Sequence, residues 1–169
     1  PRTGPPQCIG STPLFSDGQG AYRGSRLQLT LDEETLWQPA IDTALAAAQH
    51  MQTLGYWGPV GIDAMWYQPA AGPPQLRPLQ DINARYTMGR LALGWRRLLR
   101  PAEQALWLHL PSSVMPLLTS LVHENTATTR LIATTPLGDP HLPSRRFSCL
   151  VMTTSSDLCL QLAQMAAGF

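Results

Sequence analysis

The chain has 169 residues, a formal net charge of +1 and only 14% charged positions. That balance gives neither the basic footprint of a nucleic-acid binder nor a polybasic patch for a membrane surface, and no run approaches the ~20 apolar residues that cross a bilayer. The length suits one domain with a sizeable core better than two independent ones.

The opening stretch, Pro1 to Gly24, is rich in Pro, Gly and Ser, and Asp17-Gly18-Gln19-Gly20 reads as a turn between strands near Cys8 to Phe15 and Tyr22 to Leu29. Thr30 and Glu33 form a capping-box pair, and Pro39 fits the first turn of the longer helix that follows. This helix is expected to bury Ile41, Leu45, Ala48 and Met51, with Gly55 as its stop. A strand from Val60 to Tyr67, a turn at Ala70 to Pro74 and a strand from Leu76 to Asn83 come next. Met88 to Leu99 reads as a helix with Leu91, Trp95 and Leu98 inward and Arg90, Arg97 and Arg100 outward, ended by Pro101.

Beyond Pro101 the order expected is strand, helix, strand, strand, helix. Its members are Leu106 to Leu110, Val114 to His123, Arg130 to Thr134, Phe147 to Thr153 and Ser156 to Ala167. The last is an amphipathic helix with Leu158, Leu162 and Met165 inward, and Pro136 to Pro143 reads as a surface loop. Together these predict an α+β fold, a mostly antiparallel sheet with packed helices. A first region over 1–100 is followed by a small α/β extension over 101–169 on the same domain.

The chemistry concentrates in Gly55-Tyr56-Trp57-Gly58-Pro59-Val60-Gly61-Ile62-Asp63 and in Asp81-Ile82-Asn83-Ala84-Arg85. An antiparallel pair of strands around the turn at Ala70 to Pro74 brings Asp63 close to Asp81 and Asn83. Strand side chains alternate, so Asp81, Asn83 and, if the strand runs on, Arg85 share a face while Ile82 and Ala84 are expected to face the core. Two carboxylates held together repel unless a cation lies between them or one takes up a proton. With one amide oxygen they make a hard-oxygen set suited to Mg²⁺ and phosphate.

These residues resemble the ATP-grasp superfamily of carboxylate-amine ligases, whose pattern is a Gly-rich approach to an Asp-bearing strand followed by an acidic-x-Asn-x-Arg strand. The resemblance runs from about Gly55 to Leu99. It implies that Asp63, Asp81 and Asn83 hold Mg²⁺ (or Mn²⁺) bound with ATP, Asp81 bridging two ions, and that Arg85 is the catalytic residue steadying the phosphate. The family usually has Glu where this chain has Asp81, one methylene shorter. It also uses Lys to hold nucleotide phosphates, and here every one of the 12 Lys-or-Arg positions is Arg. The fold implied is that of an ATP-grasp C-terminal subdomain. Pro1 at the start and Gly168-Phe169 after an apolar helical pattern lead us to expect a portion of a longer ligase, whose N-terminal half is the missing partner.

The activity implied is ATP-dependent joining of a small carboxylate, such as an amino acid or peptide, to an amine through an acyl phosphate. Arg90 is a candidate for the substrate carboxylate, with Tyr86 and Thr87 nearby. Two other readings stand beside this one. The chain is alternatively a non-catalytic ATP-grasp-derived module that binds a nucleotide or a protein, or a structural domain whose acidic pair is merely solvated. No nucleic-acid or membrane partner is expected. The odd number of cysteines, Cys8, Cys149 and Cys159, predicts buried thiols rather than a disulfide framework. With nothing like a signal peptide at the start, the expected location is the cytoplasm. His50, His109, His123 and His141 are too scattered for zinc, and no hydrolase elbow, P-loop or dinucleotide fingerprint appears.

Overall fold

The computed structural model describes residues 4–135 and 145–168. The fold is α+β, and every strand ladder among the described residues is antiparallel. The described residues divide into two compact units, one from residues 4–11 and Leu29–Leu91 and the other from Thr12–Gln28 and residues 92–135 and 145–168.

In the second unit, β1 (Leu14–Ser16), β2 (Tyr22–Arg26), β5 (Gln104–Pro111), β6 (Thr129–Ala133) and β7 (Arg146–Thr153) form one sheet in the order β1-β2-β5-β7-β6. Helices α3 (Met115–Glu124) and α4 (Ser156–Ala167) cover one face of it. Alternation explains which side chains meet them. Leu106, Leu108 and Leu110 of β5 and Phe147, Cys149 and Val151 of β7 join Val114, Leu118, Leu158, Cys159, Leu162 and Ala166 in one buried cluster. Met165, expected inward, is half-buried against it. Ser155 caps α4 by accepting from the Leu158 amide.

The strand expected from Cys8 to Phe15 is only the three residues of β1. Pro5, Pro6 and Pro13 have no amide to donate and Gly10 sits at φ 140°, which interrupts a regular ladder before Leu14. The predicted turn at Asp17 is present: the Asp17 carboxylate accepts from the amides of Gln19 and Ala21 and from Arg23. The loop over 136–143 lies outside the described residues.

The first unit holds α1 (Leu31–Thr53) and a hairpin of β3 (Gly61–Tyr67) and β4 (Gln75–Asn83). The Thr30–Glu33 capping box opens α1 as predicted, but Pro39 lies inside this 23-residue helix instead of in its first turn. Proline at an interior position costs about 3 kcal/mol. The reciprocal cap on one side and the helix-favouring run from Ala44 to Met51 on the other offset it. Gly55, at φ 90° and donating to Gln52, follows the helix end as expected.

Ile41, Leu45, Ala48 and Met51 are half-buried, and Ala40 is the fully buried member of α1. Edge-to-face contact of Trp37 with Trp66, centroids 6.5 Å apart, ties the helix to the hairpin. Cover is partial. Ile82 and Ala84, expected in the core, are exposed, because a two-stranded sheet with one helix against it leaves the stretch from Leu79 to Ile82 uncovered.

Helix α2 (Met88–Trp95) is shorter than predicted and tightens into a 3-10 turn over Arg96–Leu98. Leu91 is exposed, and Ala92 takes the buried place expected for it. No helix among the described residues is long and apolar enough to cross a membrane.

Candidate functional site

The β3–β4 register builds the site. Gly61 stands opposite Asn83, Ile62 opposite Ile82 and Asp63 opposite Asp81; beyond them the pairing slips before Met65 meets Arg77. Pro78 lies in the slipped stretch of β4 and has no amide for the ladder. The irregularity therefore falls beside the carboxylate pair, a usual place for a bulge that re-aims side chains.

Asp63, Asp81, Asn83 and Arg85 lie in one hydrogen-bonded chain. Asn83 Nδ2 donates to Asp63 Oδ2 at 3.4 Å and to Asp81 Oδ2 at 3.1 Å. Asn83 Oδ1 accepts from Arg85 Nη2 at 2.8 Å. The other Asp81 oxygen accepts from the Ile82 amide at 2.9 Å. Arg85 thus reaches the acids through Asn83, and among the described residues it makes no direct ion pair with either.

Burial pushes the Asp63 carboxyl above the ordinary carboxylate range, the facing Asp81 charge pushes it further, and the Arg85 guanidinium pulls partly back. Asp63 is half-buried while Asp81 is exposed.

The Gly-rich approach has a packing reason. The Tyr56 hydroxyl donates to the Pro59 carbonyl at 2.6 Å and lies 2.8 Å from where a Cβ on Gly58 would sit. A Cβ on Gly61 would come within 2.4 Å of the Thr87 methyl, so glycine there lets Thr87 close over the start of β3. Thr87 Oγ1 in turn accepts from the Arg90 amide at 3.3 Å at the start of α2. Thr87 was singled out in sequence only as part of a substrate surface; its fit against Gly61 is a tertiary contact that no local pattern encodes.

Arg90 is exposed on α2, and no hydrogen bond or ion pair among the described residues joins its guanidinium to the acids. Tyr86 is exposed as well. Two features escaped the sequence reading altogether. Glu103, 7% exposed, makes a twofold pair with Arg130, Nε to Oε1 at 2.9 Å and Nη2 to Oε2 at 2.6 Å. Asp17 pairs with Arg23 at 2.6 Å. Both join residues whose partnership depends on where the strands lie.

The donor set is the test of a cation at Asp63 and Asp81. Two carboxylates and an amide oxygen are hard ligands of the kind Mg²⁺ takes, and the acids face each other with an amide NH₂ between them. The residues fit, provided Asn83 turns its oxygen inward. No three His, Cys, Asp or Glu side chains cluster to hold a metal among the described residues, and here the third donor is Asn83.

No protein-family model, curated protein or solved structure matches the chain.

Proposed function

We propose that Asp63, Asp81, Asn83 and Arg85 bind a divalent cation together with the phosphates of ATP, and that the chain serves an ATP- and Mg²⁺-dependent carboxylate-amine ligase of the ATP-grasp type. The observation that carries this reading is the direct opposition of Asp63 and Asp81 across an antiparallel ladder, with Asn83 at the end of the same strand bonded to both acids and to Arg85 just beyond it.

Asp63, Asp81 and Asn83 would hold the ion. Bound there, Mg²⁺ supplies charge neutralisation for phosphoryl oxygens. Arg85 contributes a fixed positive charge and a forked donor that matches a transferring phosphoryl group. In the reaction, a substrate carboxylate oxygen attacks the γ-phosphorus of ATP and ADP leaves. The amine then attacks the acyl carbon of the resulting acyl phosphate, and phosphate leaves. No side chain of this chain forms a covalent bond in either step.

The test is Mg²⁺-dependent ADP release with candidate amino acids or peptides as carboxylate and amine donors. Asp81→Ala and Asn83→Ala should lower turnover by about 10² or more while leaving the circular dichroism unchanged. Near-normal ATP consumption by either variant overturns the assignments.

A second reading draws support from the absence of Lys and from Asp81 at a position where the family has Glu. In it, the chain is a non-catalytic module that binds nucleotide. Stabilisation by Mg²⁺ with ATP, without ADP release, favours the module over the ligase.

A further inference from the structure

The carboxamide of Asn83 is engaged on both sides. Its NH₂ donates to Asp63 and Asp81, and its oxygen accepts from Arg85. Amide nitrogen and oxygen differ only in what they can donate or accept, and the surroundings dictate this polarity. Inverted, the oxygen would face two carboxylates and the NH₂ would face a guanidinium. The NH₂ therefore occupies the side from which a cation would meet both acids.

A hard divalent cation takes the amide oxygen. For Asn83 to serve as a ligand, its terminal torsion must turn by about half a revolution, a rotation with two broad, similar wells. After that turn its NH₂ faces Arg85 Nη2, donor against donor, and the 2.8 Å bond is lost. What remains is a 3.4 Å contact from Arg85 Nη1 to the Tyr86 carbonyl, too long to hold the group firmly.

We propose that Asn83 couples cation binding at Asp63 and Asp81 to the release of Arg85. This inference rests on the metal-site reading above and deepens it. Without the cation, Arg85 is tethered and its charge is directed back at the end of β4. With the cation, the guanidinium is free to take an anionic oxygen pair. The site then binds cation and phosphate in a preferred order, cation first, because the first ligand unlocks the donor for the second. Asn83 acts as a positioning residue for Arg85.

The experiment is side-chain NMR of the full chain, labelled with ¹³C and ¹⁵N at Arg, Asn and Asp, titrated with MgCl₂ in buffer free of phosphate and polyanions. The expected result has three parts. The Asp63 and Asp81 carboxyl carbons shift, the Asn83 NH₂ signals move, and the Arg85 guanidinium signals move to the positions that Asn83→Ala shows without any Mg²⁺. Asn83→Asp offers oxygens on both sides, so it should bind Mg²⁺ and keep Arg85 tethered. Carboxyl shifts with Arg85 unmoved in the native chain overturn the coupling and leave the cation site standing. No shift at Asp63, Asp81 or Asn83 up to millimolar Mg²⁺ overturns both.

Discussion

Asp63 and Asp81 stand opposite each other in the β3–β4 ladder, and what lies between them is the Asn83 amide rather than a cationic side chain. Like charges in register destabilise a strand pair. The cost falls on Asp63, whose carboxyl burial and the Asp81 charge hold above the ordinary range. The native state thus keeps the Asp63 proton more tightly than the unfolded chain does. Stability from this group is complete below the ordinary Asp value of about 3.9 and is lost as pH rises through the raised native value.

Asp63→Asn should therefore raise the thermal midpoint at pH 7 in chelator. The gain should shrink on acidification and vanish below about pH 3.9, where the native carboxyl is protonated too. Calorimetry across that range checks it. A lower midpoint at pH 7 would mean that the carboxylate supports the fold in a way its surroundings do not suggest.

Mg²⁺ should reverse the sign. A ligand that binds only the native state stabilises it by about 1.4 kcal/mol at ten times its Kd. The native chain should gain stability with MgCl₂ at pH 7, Asp81→Ala should gain none, and the gain should fall as pH drops through the raised value of Asp63, where proton and cation compete. Equal gains in native and variant chains would place the ion elsewhere.

Much of this arrangement was legible beforehand, and the reason is periodicity. The alternation of Asp81 and Asn83 placed them on one face, and the Pro/Gly turn set which strand met which, whereas β4 stops at Asn83 and Arg85 reaches the site from the bend that follows, by its bond to Asn83. Burial was less legible. Ile82 and Leu91 carry the pattern of core residues and are exposed, since pattern states which side could be covered and not whether another element arrives. Pro39 misled for a different reason. A proline marks a helix start only on local preference, and here the cap at Thr30 lies nine residues upstream and governs. Glu103 with Arg130 depends on strand placement, which spacing does not encode.

Gly61 and Thr87 offer a packing test. A methyl group at Gly61 meets the Thr87 side chain at 2.4 Å, so one of them has to move. Gly61→Ala should cost about 1–3 kcal/mol, the usual range for overpacking. Thr87→Ala should recover part of that cost in the double variant, and a denaturant double-mutant cycle measures the coupling. Strict additivity would show that the contact does not bear on stability.

Glu103 takes two hydrogen bonds from Arg130 and one from the Arg100 amide, which hold its carboxyl below the ordinary range. Here the sign is opposite to that of Asp63. The stability it contributes is present above the ordinary Glu value and is lost as pH falls through the lowered native value. Glu103→Gln should be destabilising by about 2 kcal/mol at pH 7, in line with hydrogen bonds to charged groups. The difference from the native chain should close on acidification, and pH-dependent urea unfolding reads both.

The cysteines divide two to one. Cys149 and Cys159 lie in the buried cluster of the five-stranded sheet and α4, whereas Cys8 is exposed, against the expectation of three buried thiols. Burial pushes the Cys149 thiol up to about 12 and raises Cys159 as well, though Arg26 offsets part of the latter. Only the thiolate attacks an alkylating reagent, so access and acidity point the same way. Brief iodoacetamide treatment at pH 8 should label Cys8 alone in the native state, and all three in denaturant, as read by peptide mass spectrometry. Native-state labelling of Cys149 at a rate near that of Cys8 would mean that the sheet opens to solvent far more often than its packed leucines allow.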